Sequence, residues 1–249
     1  MGANGQLCSR CQAVDKLMNF PKKTEAKQAT PEAIGQSGAR KPRLPLAAKV
    51  VYTGFVAILV PIYFRDYGPT NFLYFCDVAL LLTLVGMWLE NSLLISMCSV
   101  GILLPQLLWL IDFGGNFVGI HTTGMTNYMF DASIPLFTRG LSLFHGWLPL
   151  LLVWLLARVG YDQRALPAWT ALAVLLVLIC YFFMPPAGAH LANPNIPVNI
   201  NYVYGFNDQD PQHWLNQNLY VVVWLGVLAG VAFLPTHWVL RKIYQPARR

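Results

Sequence analysis

Residues 71–111 read NFLYFCDVALLLTLVGMWLENSLLISMCSVGILLPQLLWLI, and the fold turns on what solvates that stretch. It divides into two apolar runs, 71–89 and 92–111, each near the ~20 residues a helix needs to cross a bilayer. Asn91-Ser92 between them suits a turn and a helix cap. A surface helix of a soluble bundle would alternate an apolar stripe with a polar face, and these runs do not. Lipid is the solvent that suits them.

The rest of the chain agrees. Of 249 residues, 56% are hydrophobic and 11% charged, where a soluble domain carries about a quarter charged residues. Further runs at about 46–64, 133–157, 166–184 and 218–240 bring the expected spans to six. Lys49 near the start of the first span can snorkel, and Pro61 falls where that helix is nearly finished. Pro167 suits a first helical turn. Trp88, Trp109, Trp169, Tyr181, Trp214, Tyr220 and Trp238 lie near expected span ends, as an interfacial aromatic belt would place them. The fold class is an all-α membrane protein, a six-transmembrane-helix bundle spanning 45–242 between a basic, disordered tail at 1–44 and a short basic tail at 243–249.

Charge sets the topology. The formal charge is +6, and nine of the 17 Lys and Arg residues lie in the first 49 positions, with four more closing the chain. Six spans put both tails on one side together with Arg158 and Arg164, leaving Arg65 and Arg139 on the other. By the positive-inside rule both termini are cytoplasmic, and a bacterial cytoplasmic membrane is the expected location. The tails would rest on anionic cytoplasmic lipid. The chain lacks an aromatic-interleaved basic patch and zinc-finger spacing, so nucleic acid is not an expected partner. Cys8 and Cys11 form a lone C-x-x-C, too few ligands for a tetrahedral zinc site. No G-x-S-x-G, H-E-x-x-H, P-loop or dinucleotide fingerprint occurs, and neither metal nor cofactor is expected.

Ionisable groups inside the spans ask for a partner or a role, because each costs about 2.5–3.5 kcal/mol on insertion scales. The second span runs inward and places Cys76 and Asp77 about six residues down, roughly 9 Å at 1.5 Å per residue. His145 in the fourth span reaches a similar depth, and Thr138, Ser142, His145 and Pro149 share a face by their three- and four-residue spacing. Pro149 has no N–H for the His145 carbonyl, which loosens the helix there. Gln106, near the outer end of the third span, falls in the same layer. Asn199, Asn201 and Tyr202, beyond the fifth span, are candidates to line or cover the opening. Asp77 pairs with Arg139 in the bland reading, or orients a histidine as the acid of a hydrolytic triad does. Cys76 is a small apolar filler or a nucleophile.

Four short elements, Phe-Cys-Asp-Val-Ala-Leu at 75–80, Leu-Leu-Pro-Gln-Leu-Leu followed by Asp112, Leu-Phe-His-Gly at 143–146 and Asn-Ile-Asn-Tyr at 199–202, resemble the YwaF-type family of bacterial integral membrane proteins. That family is more distantly similar to eukaryotic six-span intramembrane proteins, among them fatty-acid-ester hydrolases of the androgen-induced type and a lipid acyltransferase. The resemblance implies acyl chemistry, with a nucleophile from an early span and a histidine from a later one, which map onto Cys76 and His145. Where those hydrolases place a threonine a little before an acidic residue, this chain has Tyr74.

The expectation is therefore an intramembrane lipid acyl hydrolase or acyltransferase with its site in the outer half of the bilayer. His145 is the general base, Asp77 orients it and Cys76 is the nucleophile, with Gln106, Ser142, Arg139, Asn199, Asn201 and Tyr202 binding the substrate. Two other classes stay open. A small transporter or lipid-binding protein would use the same polar layer as a binding site, and a noncatalytic scaffold would use it to glue helices.

Overall fold

The computed structural model describes residues 44–120 and 123–244. The predicted basic tails, apart from Leu44, Ile243 and Tyr244, lie outside them, as do the Cys8–Cys11 pair and His121. The described residues form helices and turns without strands: α1 (Leu46–Tyr67), α2 (Phe75–Leu89), α3 (Ser92–Phe117), α4 (Leu136–Leu141), α5 (Phe144–Val159), α6 (Ala165–Phe183), α7 (Gln217–Val227) and α8 (Leu234–Ile243). A π-helical turn, Leu228–Phe233, joins α7 to α8 into one continuous rod. Five helical rods, α1, α3, α4–α5, α6 and α7–α8, are long and apolar enough to cross a membrane, and α2, at 15 residues, is a shorter apolar helix.

The central helix is α3, which packs against α2, α5, α6, α8 and the π turn. Over its apolar stretch 56% of residues are buried, against 22% for the last rod, so the outer helices turn most of their apolar surface away from the protein. Val51, Leu150, Phe183 and Val222 are 73%, 71%, 75% and 65% exposed. In water each such side chain would forgo about 1.5–3 kcal/mol of burial. The buried set, by contrast, includes Asp77, Gln106, Asp112 and Asn201. This polar-inside, apolar-outside arrangement is what a hydrocarbon solvent selects.

The α2–α3 hairpin sets the depth of everything on those helices. Glu90 closes α2 in the left-handed conformation, and the Asn91 side chain accepts the Leu94 N–H to start α3. Gly86 packs so tightly on Ile95 that a Cβ there would lie 3.1 Å from the Ile95 side chain. At this tail end of the bundle Lys49 pairs with Glu90 at 2.8 Å, and His237 is buried with its Nδ1 2.7 Å from the Tyr161 hydroxyl.

Four sequence expectations are corrected. The second helix begins at Phe75, because Pro69–Leu73 form a 3₁₀ turn and Tyr74 is extended. The third runs six residues past Ile111, to Phe117. The fourth breaks at Ser142–Leu143, not at Pro149, around which α5 is continuous. Trp109, Trp169 and Tyr220 are buried and belong to the packing, leaving Trp88, Trp214 and Trp238 exposed as a belt requires.

Candidate functional site

The loop end of the bundle, opposite the Lys49–Glu90 end, gathers polar groups from α1, α2, α3, the 123–135 connection and α5. Asp77 enters in the first turn of α2, where the helix dipole favours a carboxylate. It is 3% exposed. Its Oδ2 accepts from the Asn71 amide at 3.4 Å and faces the Cys76 sulfur at 3.7 Å, while its Oδ1 is buried without a partner.

His145 owes its orientation to the helix break. Across it the backbone tightens to three-residue hydrogen bonds, His145 N–H to Ser142 and Gly146 N–H to Leu143. Gly146 would serve the Ser142 carbonyl in a regular α-helix, so that oxygen has capacity left for the His145 ring. Nδ1 sits 2.8 Å from it, and a carbonyl can only accept, so Nδ1 carries the proton and Nε2 is the basic nitrogen. Among the described residues Nε2 has no hydrogen-bond partner, and it is not sealed from the surface. The ring stacks on Trp109 at 4.8 Å.

Ser142 ties the two groups into one cluster. Its hydroxyl is 2.6 Å from the Tyr63 hydroxyl, and Tyr63 lies within electrostatic reach of Asp77. Tyr128 approaches Ser142 and Trp109 from the connection before α4 and is an electrostatic neighbour of Cys76 and Asp77. Burial holds the Tyr128 and Tyr202 phenols well above their ordinary range, so both are neutral hydrogen-bond donors. Tyr128 is delivered by Asp112, whose carboxylate accepts the N–H groups of Thr123, Gly124 and Thr126 and the Thr126 hydroxyl.

Gln106 lies one turn inward of Trp109 on the same buried face of α3. With Gly86 opposite Ile95, the hairpin register puts Gln106 within about one helical turn of the Asp77 level. Both amide atoms of Gln106 are buried and without partners.

The other predicted residues divide. The Asn199 amide is committed to its own loop, donating to Gly205 and Asn207 carbonyls and to Asp208 and accepting the Tyr204 N–H. Asn201 is committed likewise: its Oδ1 accepts the Phe75 N–H at the start of α2 and its Nδ2 donates to the Leu73 carbonyl. Tyr202 is an electrostatic neighbour of Cys76. Arg139 donates through Nη1 to the Met129 carbonyl and makes no ion pair with Asp77. No hydrogen bond joins His145 to Asp77 or Cys76 among the described residues. Sequence reasoning missed Tyr63, Asn71 and Tyr128. Depth along α1 marks Tyr63, whereas nothing short of the loop path marks Tyr128.

Among the described residues no three His, Cys, Asp or Glu side chains gather as metal ligands would. Comparison with known proteins finds no family model, no curated protein and no solved structure that matches the chain.

Proposed function

We propose that this chain is a six-crossing integral membrane protein of the YwaF type, with both ends in the cytoplasm, that cleaves or transfers the acyl group of a lipid ester in the outer half of the bilayer. The observation that carries the reading is the gathering of Tyr63, Asp77, Tyr128, Ser142 and His145 from four separate segments into one polar layer, with Asp77 Oδ1 and His145 Nε2 unpartnered.

The roles follow from the contacts. The Cys76 thiol gives its proton to Asp77, which it already faces, and the thiolate attacks the ester carbonyl carbon. The carbon–oxygen bond breaks, and Asp77 passes the proton to the departing alkoxide. His145, oriented by the Ser142 carbonyl where a triad would use an acid, then takes a proton from the water or alcohol that attacks the thioester. That proton goes to the released sulfur.

Purified protein incubated with a labelled diacyl lipid should release the labelled acyl group. His145→Ala should slow turnover at least 100-fold and accumulate an acyl adduct on Cys76, read by mass spectrometry. Full turnover by His145→Ala overturns the proposal. A second reading, a lipid-binding or transport protein, draws on the absence of a bond between His145 and the Cys76–Asp77 pair. It expects substrate movement across vesicles with no adduct on Cys76.

A further inference from the structure

Beside this cluster the short helix α4 presents a shallow groove, open to the surface and lined by Leu136, Phe137, Gly140 and Leu141. Leu136 and Phe137 are 76% and 62% exposed, so the groove opens outward rather than into the bundle. It ends at Leu141, one residue before Ser142, at the helix break that orients His145.

Arg139 lies on the same helix. Among the described residues Arg65 and Arg139 are the Lys or Arg side chains at this end of the bundle, and they are used differently. Arg65 is paired with Asp66 at 2.7 Å, and Asp66 also accepts the Thr138 hydroxyl. Among the described residues Arg139 makes no ion pair: Nη1 goes to a carbonyl, Nε is buried and unbonded, and Nη2 is neither bonded nor buried. Asp131 is within electrostatic reach but makes no ion pair, its Oδ1 being held by the Ser133 N–H. A guanidinium with an open face at the edge of an apolar groove, at the end of a transmembrane rod where headgroups sit, is complementary to a phosphate that carries acyl chains.

We infer that α4 is a phospholipid site, with the lipid phosphate on Arg139 and one acyl chain in the Leu136–Phe137–Gly140–Leu141 groove. This names the substrate class for the site proposed above and rests on that membrane reading. The chemistry is kept separate by measuring binding in His145→Ala protein.

The probes are dioleoyl phosphatidic acid and dioleoylglycerol, which share acyl chains and differ in the phosphate, presented in mixed micelles and read as retained lipid by native mass spectrometry. Phosphatidic acid should be retained at least tenfold more than dioleoylglycerol. Arg139→Gln should bring it down to the dioleoylglycerol level, and Arg65→Gln should change neither. Gly140→Leu, at a position where a Cβ meets nothing within 4 Å, fills the groove without disturbing the fold and should lower retention of both lipids. Equal retention of the two probes, or undiminished phosphatidic acid on Arg139→Gln, overturns the inference. Phospholipid binding without turnover in the unmutated chain would sink the catalytic proposal and leave this one standing.

Discussion

Asn201 holds three segments together with one side chain and one carbonyl. Its amide bonds the Phe75 N–H and the Leu73 carbonyl on either side of Tyr74, approaches the Cys180 sulfur, and its backbone carbonyl accepts the Trp224 indole N–H. It does this with φ at 60°, a conformation that Asn tolerates and Ala does not. Asn201→Ala should therefore lose about 3 kcal/mol, from left-handed strain plus stranded backbone partners. Asn201→Gly, free of the strain, should lose about 1 kcal/mol less. Unfolding in a mixed-detergent titration reads both, and an Ala variant as stable as the unsubstituted chain rules the clamp out. Sequence reading finds this residue by its polarity beside a span, but assigns it to the substrate. A short polar side chain looks the same whether it caps a helix or awaits a ligand, and the deciding quantity is a backbone dihedral. For Asp77 and His145 the layer is legible because depth follows from counting residues at a fixed rise. Which atom faces which is not, because it depends on the Ser142–Leu143 break.

At the level of elements, spans are readable wherever an apolar run has bilayer length, and the breaks within them are not. Hydropathy sees Asn71–Tyr74 and Ser142–Leu143 as more of the same run, whereas their geometry is set by competition among nearby backbone acceptors. Helix contacts are also hidden, and the α3–α6 contact shows why. At Gly101 the indole of Trp169 lies where a side chain would be: a Cβ would meet Trp169 Cε2 at 1.8 Å. Trp169 is fully buried and packs edge-on against Phe75 and Phe233. Small residues let transmembrane backbones approach, and here one methyl group would have to displace a ring wedged among three helices. Gly101→Ala should cost about 3 kcal/mol or more, above the usual 1–3 kcal/mol for overpacking, since an indole cannot yield as a Leu does. The double variant Gly101→Ala with Trp169→Phe should recover part of that loss. A Gly101→Ala protein with unchanged unfolding midpoint contradicts the close contact.

For the whole molecule, the proposed side of the polar layer rests on charge. Each Lys or Arg near an anionic cytoplasmic surface contributes about 1 kcal/mol, so a 15-to-two imbalance outweighs any contribution from Arg65 and Arg139. The reverse orientation would translocate both tails and put the Lys49–Glu90 end outside. Single cysteines at exposed Ser133 and Gln209 mark the loop end, and one at exposed Gln163 marks the tail end. They are best introduced into a chain whose own five cysteines are serine, so that labelling reports position alone. In intact bacterial cells a membrane-impermeant maleimide should label the cysteines at 133 and 209 and reach the one at 163 only after permeabilisation. With five crossings the two ends of the chain would lie on opposite sides, so the short helix α2 is the element at stake. Its Cys76–Asp77 pair lies at the loop end and Glu90 at the tail end, so labelling at 133 and 163 on opposite sides, with 209 matching 133, requires α4–α5 and α6 to cross. A cysteine at exposed Pro69, between α1 and α2, completes the test by sharing the labelling of 133 if α2 crosses. Protection of 69 in intact cells would mean that α2 does not cross, and would put the start of α1 outside.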